Sequence, residues 1–294
     1  MSILLTADTR VLCQGLTGRM GTFHGEQCLA YGTRLVAGVR PGKGGTRHLN
    51  LPVFDSVTEA KAATGATASM IFVPPVHAAA AMIEAIRARM ELIVCVTERV
   101  PVLDMIRVRH ELEQSDSILV GPNSQGVLVP GASKIGVMPT LHAKPGRIAI
   151  ISRSASLTSE VVEQTSRLKL GQSVTIGIGG DPVHGLDFVG ALRLCLSDKG
   201  TDGIILLGEI GGREEEAAAA YLASQSHGKA IIAYVAGRHV PATRRLGHAG
   251  TVMGFGADGA QRKIDAFLAA GIAIAQNAGM IGATMKDALK KQGK

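Results

Sequence analysis

Short apolar runs ending in glycine or proline recur along this chain, each separated from the next by room for one helix. The first half carries Arg10 to Gln14, Leu35 to Val39, Ala68 to Val73, Leu92 to Val96 and Ser117 to Val120. Helical stretches run to Ala30, from about Val76 to Met90 and from about Leu103 to Gln114. Strand, helix, strand at this spacing implies right-handed crossovers, and therefore a parallel sheet covered by helices. The side chains agree. Aromatics are scarce, with no Trp, three Tyr and six Phe, so Val, Ile, Leu and Ala must fill the core, as parallel strands require.

Residues Gly121 to Gly146 interrupt the alternation with four prolines and several glycines, which places a domain boundary there. The expected division is 1–122 and 123–294, and 294 residues suffice for two ordinary α/β domains. The second alternation reads Arg147 to Ile151, a helix from Leu157 to Leu168, Ser173 to Ile178, and a helix from Asp187 to Leu196. It continues with Asp202 to Leu207, a Glu-Ala-rich helix to Ser224, Ala230 to Val235, a helix from Gly259 to Ala270, Ile272 to Ala275 and a last helix.

Composition excludes several functions. Charged residues are 19% and apolar ones 46%, which is not the balance of a disordered chain. The net charge of +7 favours an anionic partner, yet the basic residues are dispersed and few aromatics exist to stack bases. A coenzyme phosphate near Arg34, Arg40, Lys43 and Arg47 fits better than a nucleic acid. Cys13, Cys28, Cys95 and Cys195 stand far apart, which is reduced, cytosolic-type usage rather than a zinc site or disulfide framework. With no basic leader and no membrane-length apolar run, the expectation is a soluble protein of bacterial cytoplasm or, after import, of an organelle.

In an open parallel sheet, ligands collect beyond the carboxyl ends of the strands, where helix starts offer free N–H groups. The first such end is Gly15-Leu16-Thr17-Gly18-Arg19-Met20-Gly21, looser than the dinucleotide fingerprint. The second strand ends at Val39-Arg40 with no acid to hold an NAD ribose, and leads to Lys43 among glycines. Ala37 and Gly44 break the P-loop pattern there, so this chain has no triphosphate site of that kind. In the second half, Ser152-Arg153-Ser154-Ala155-Ser156 opens a helix as an N-cap and anion cradle. Gly208-Glu209 and Gly247-His248-Ala249-Gly250 complete one face. Imidazole can carry a proton, a metal or a phosphoryl group near neutral pH, and Glu209 could fix the tautomer of His248.

Taken with Pro41-Gly42-Lys43-Gly44-Gly45, Ile176-Gly177-Ile178-Gly179-Gly180-Asp181-Pro182 and Gly208-Glu209-Ile210-Gly211-Gly212, these residues resemble the α subunits of succinate–CoA ligases, from Met1-Ser2-Ile3-Leu4 to the final helix. The same scaffold serves malate–CoA ligase. The resemblance implies a Rossmann-like CoA-binding domain followed by a flavodoxin-like ligase domain, with His248 phosphorylated and Glu209 as its partner. It also implies CoA held by Thr17, Gly18, Arg19, Met20, Lys43, Val96, Thr97 and Glu98. It implies a nucleotide-binding β subunit, as αβ or α2β2, that supplies ATP or GTP with Mg2+; no metal is held by this chain.

The chain also departs from that family. Gly121-Pro122-Asn123-Ser124-Gln125-Gly126 stands where the family reads Gly-Pro-Asn-Cys-Pro-Gly, Ser159 where it has tyrosine, and Ala155-Ser156 where it has glycine-threonine. Asn123, Ser124, Gln125, Ser154, Ala155, Ser156 and Ser159 are therefore expected around the acid or the phosphohistidine. Succinate leads, and malate or another substituted dicarboxylate stays open. An NADP-linked oxidoreductase and a CoA-sensing protein without catalysis are the other readings the residues allow.

Overall fold

The computed structural model describes residues 4–240, 247–248 and 259–293. Met1-Ser2-Ile3, Ala249 and Gly250, all quoted above, lie outside the described residues. The first sheet is built from β1 (Val11–Gln14), β2 (Leu35–Val39), β3 (Arg47–His48), β4 (Leu51–Phe54), β5 (Ala68–Ile71), β6 (Leu92–Cys95) and β7 (Ile118–Val120), in the order β3-β4-β2-β1-β5-β6-β7. Every pairing is parallel except the β3–β4 hairpin. Helices α1 (Arg19–Tyr31), α2 (Val57–Thr64), α3 (Pro75–Arg87) and α4 (Val102–Glu113) lie between the strands.

The second sheet joins β8 (Gly126–Val129), β9 (Ser133–Gly136), β10 (Pro145–Ser152), β11 (Gln172–Gly177), β12 (Gly203–Gly208), β13 (Ala230–Val235) and β14 (Ala273–Ile274), in the order β14-β13-β12-β10-β11-β8-β9. Its helices are α5 (Ala155–Arg167), α6 (Phe188–Ser197), α7 (Glu214–Ala223), α8 (Ala260–Ala269) and α9 (Ile281–Lys291). No described helix is long and apolar enough to cross a membrane. All four cysteines are buried and free.

Local chemistry sets the helix starts. Ser56 accepts from the Glu59 amide, Ser154 from Leu157 and Asp187 from Gly190, each satisfying an N–H that the helix itself cannot. Pro75 opens α3, where its missing N–H costs nothing. Strand β12 is buried along its whole length, as a central parallel strand must be.

Two parts of the sequence reading need correction. The stretch between β2 and β5 folds into the β3–β4 hairpin and α2, which the periodicity did not reveal. The proline-rich break from Gly121 to Gly146 holds the β8–β9 hairpin, which adds an antiparallel edge to the second sheet through β11. That hairpin ties the halves together. Thr33 Oγ1 donates to the Lys134 carbonyl at 2.7 Å and accepts from its amide at 3.0 Å. Further along, Arg109 on α4 reaches the Gly185 carbonyl at 3.1 Å, and the Leu186 amide meets the Leu119 carbonyl at 2.6 Å. A single apolar cluster runs through Met70 and Val94 of one sheet and Val127, Ile135, Ile151 and Ile176 of the other.

Candidate active site

Register brings the working loops to one level. Ser152 pairs with both Gly177 and Leu207, so β10, β11 and β12 end together and release Arg153, Ile178 and Glu209 side by side. The ends of β6 and β7 face them. Between lies a cleft of about 640 Å³, bordered by Val96, Glu98, Asn123, Ser124, Gln125, Ala155, Asp181 and His248, among others.

His248 Nδ1 lies 2.8 Å from both Glu209 carboxylate oxygens, so Nδ1 carries the proton and donates it. Nε2 is then the nitrogen that Glu209 leaves unengaged. Glu209 is almost fully buried, and Arg153 Nε stands 3.2 Å from its Oε1. The Arg153 guanidinium also reaches the Gly180 carbonyl at 3.3 Å. The bond to Glu209 raises the His248 pKa above the ordinary histidine value, against the opposing effect of burial. Because the folded-state value is raised, this pair stabilises the loop at acid pH, and that contribution is lost as pH rises through the raised value.

The carboxylate is itself propped from behind. The Glu209 amide donates to Glu215 Oε1 at 2.9 Å. Glu215 is ion-paired to Lys263, and Lys263 also donates to the Gly211 carbonyl. Both side chains are fully buried, so removing either partner would strand a charge in the core, at a cost of about 3–5 kcal/mol. Gly180 performs a second positioning task. A Cβ there would fall 2.4 Å from His248 Cγ and Cδ2, so the ring keeps this position only beside a residue without a side chain.

The remaining expected residues separate by location. Ser124 is structural in its contacts, donating to the Gly177 carbonyl at 2.5 Å and accepting from the Gly126 amide at 2.8 Å. Gln125 is buried, and its amide nitrogen donates to Thr158 Oγ1 at 3.0 Å. Asn123 Nδ2 donates to Asp181 Oδ1 at 2.9 Å, while burial pushes the Asp181 carboxyl up despite that bond. Ser154 caps α5, and Ala155 borders the cleft at its first turn. Ser156 and Ser159 are not among the residues bordering the cleft, and the Ser159 hydroxyl returns to its own helix at the Ala155 carbonyl.

On the first sheet, Thr17 and Gly18 border a separate cleft of about 600 Å³. Arg40 Nη1 donates to Thr17 Oγ1 at 2.7 Å, placing a cation at its edge. Gly21 lets α1 start close beneath, since a Cβ would lie 2.1 Å from the Gly15 carbonyl oxygen. Arg19 and Met20 are exposed on the first turn of α1. Lys43 is exposed in the next loop, whose Lys43 and Gly44 amides are taken by Asp55 Oδ1 at 3.1 and 2.9 Å. Those two amides are thus occupied, while the Lys43 side chain stays exposed. Thr97 Oγ1 donates to the Val73 carbonyl at 2.7 Å and links two strand ends. Arg153, Asp181 and Gly180 carry no assigned role from sequence, and Arg40 entered only as a member of the basic cluster near a coenzyme phosphate. For Arg153 and Arg40 the readable signal was a charge directly after an apolar strand.

A histidine held by a buried carboxylate at the strand ends of one α/β unit, with a glycine-rich cleft at the strand ends of the other, is an arrangement that suits a CoA ligase chain. The family models agree: CoA binding domain over residues 6–99 and CoA-ligase over 151–273. The α subunit of ADP-forming succinate–CoA ligase from Aquifex aeolicus is 46% identical over 292 residues, covering 99% of this chain and 95% of that protein. An alpha 2 subunit of the same description from Archaeoglobus fulgidus is 46% identical, covering 92% and 94%. The chain belongs to the family of succinate–CoA ligase α subunits. The fold is also that of an ATP citrate lyase from Methanothrix soehngenii solved with citrate and coenzyme A, at TM-score 0.88 and 22% identity. This chain is covered to 98% in that match and spans 50% of the solved chain.

Proposed function

We propose that His248 carries the phosphoryl group in a nucleotide-dependent ligation of a small dicarboxylate to CoA, with succinate the leading acid and malate the alternative. The observation that carries this reading is the His248–Glu209–Arg153 chain of contacts, which fixes Nδ1–H and leaves Nε2 as the nucleophile. Nε2 accepts the phosphoryl group from ATP or GTP held with Mg2+ on a β subunit, and the P–O bond to the diphosphate breaks. A carboxylate oxygen of the acid then attacks that phosphorus, giving an acyl phosphate and restoring neutral His248. CoA supplies the thiolate that attacks the acyl carbonyl, and inorganic phosphate leaves.

The chain's own groups have matching tasks. Glu209 balances the positive charge that develops on the phosphorylated imidazole, and the free amides at the start of α5 face the transferred anion. Arg40 and Lys43 are the cations placed for the coenzyme phosphates. Thr17, Gly18, Arg19 and Met20 form the turn beneath them, and Val96, Thr97 and Glu98 lead from the first domain (1–122) to the ligase cleft of the second (123–294). A cytoplasmic heteromer, αβ or α2β2, is the setting that fits this chemistry. The test is co-expression with a nucleotide-binding partner subunit, followed by CoA consumption measured with a panel of acids. Turnover with succinate or malate supports the reading, and nucleotide-independent turnover or none with any dicarboxylate defeats it.

One measurement isolates Glu209. In Glu209→Gln the His248 titration, followed by NMR of the imidazole carbons, is expected to move to lower pH, because the bond that raised it is gone. Phosphoenzyme formation in the parent rises with pH through the raised value as Nε2 loses its proton. In the variant that limb starts earlier but reaches a lower plateau.

A further inference from the structure

Among the described residues, the charged groups bordering the ligase cleft are Glu98, Arg99, Arg153, Asp181 and His248. Most are committed. Arg153 and His248 both bind Glu209, and Asp181 holds Asn123. Among the cations of this cleft, Arg99 differs on two counts. It forms no hydrogen bond or ion pair among the described residues, so its guanidinium is uncommitted at the cleft edge. Its backbone also sits at φ 61, a left-handed conformation that a side chain with a Cβ adopts only against a steric penalty. The next residue, Val100, is buried, which fixes the turn and holds Arg99 at the cleft. A strained residue that contributes no internal contact is best explained by something it contacts outside the chain.

We propose that Arg99 binds the carboxylate of the acid that is not activated, and so makes this cleft selective for dicarboxylates. The proposal rests on the ligase reading above. One end of the acid must lie at His248 to take the phosphoryl group. Its other end carries a full negative charge that needs a partner in a cleft whose remaining cation, Arg153, already answers Glu209. Guanidinium offers paired N–H donors in the spacing that a carboxylate accepts.

The test uses the whole complex with its nucleotide-binding partner and compares the parent with Arg99→Gly and Arg99→Lys. Glycine adopts φ 61 freely, so the loop is retained and thermal stability is expected to hold or rise. In Arg99→Gly the KM for succinate is expected to increase at least about tenfold, with kcat changed much less, as loss of uniform binding requires. Lysine is expected to recover part of the loss, and the KM for CoA to stay constant in all three proteins. An unchanged KM for succinate in Arg99→Gly would overturn the proposal. So would a rise confined to the KM for CoA, which would assign Arg99 to the coenzyme phosphates. Failure of the ligase reading shows separately, as a parent complex that turns over no dicarboxylate at all.

Discussion

Replacing His248 by asparagine is expected to eliminate acid-labile phosphoprotein and to lower CoA-dependent turnover at least about a thousandfold, as loss of a covalent nucleophile does elsewhere. Asparagine keeps a polar group that can still donate to Glu209, so the buried carboxylate retains a partner and the fold survives. The measurement is incorporation of radiolabelled γ-phosphate from nucleotide, with the parent complex alongside. A labelled, acid-labile band in the variant would move the phosphoryl carrier to another residue. An unlabelled variant with intact CoA consumption would instead remove the phosphohistidine from the reaction path.

Gly180→Ala tests geometry rather than chemistry. The added methyl would stand 2.4 Å from two ring carbons of His248, while the backbone conformation at 180 remains open to alanine. The ring must therefore tilt or slide, and a displacement of about 1 Å at a reacting atom costs roughly a hundredfold in rate. Phosphoenzyme formation should fall by that order while the denaturation midpoint changes little, because the strain falls on a partly exposed ring rather than on the core. A parent-like rate would show that the His248 loop carries the ring elsewhere during turnover. A large loss of stability would show that Gly180 serves packing first.

The strands were readable because the parallel strands are mostly apolar, and several are bounded by glycine or proline, as in Gly203 to Gly208. The two hairpins were not. Their strands are two to four residues long, too short for any period, and Pro52 or Gly126 within them reads as a breaker. Glu209 and His248 were legible as a pair because each stands in a glycine-rich loop on the same face. Their supports were not legible. Lys263 looks like one more helix cation in Gln261-Arg262-Lys263, and only the packing of α7 on α8 reveals that it is buried on Glu215. Asp55 likewise gave no hint that it would occupy the amides of the Lys43 loop. Ser124 and Gln125 border the same cleft as His248, and nothing in the sequence signalled that hydrogen bonds inside the fold claim both side chains.

The apolar cluster shared by the two sheets has a consequence for how this scaffold can change its substrate. A hinge between the halves would have to pull Val127 and Ile135 out of contact with the interior that also holds Met70 and Val94. That would expose several large side chains at about 1.5–3 kcal/mol each. The gap between the halves is thus backed by a shared core that opposes such a hinge. On the proposed reading, acids of different size or charge would be accommodated by exchanging the side chains that line the gap, one at a time, without disturbing His248 and Glu209. Divergence within such an architecture is a matter of upholstery, and the frame is inherited whole.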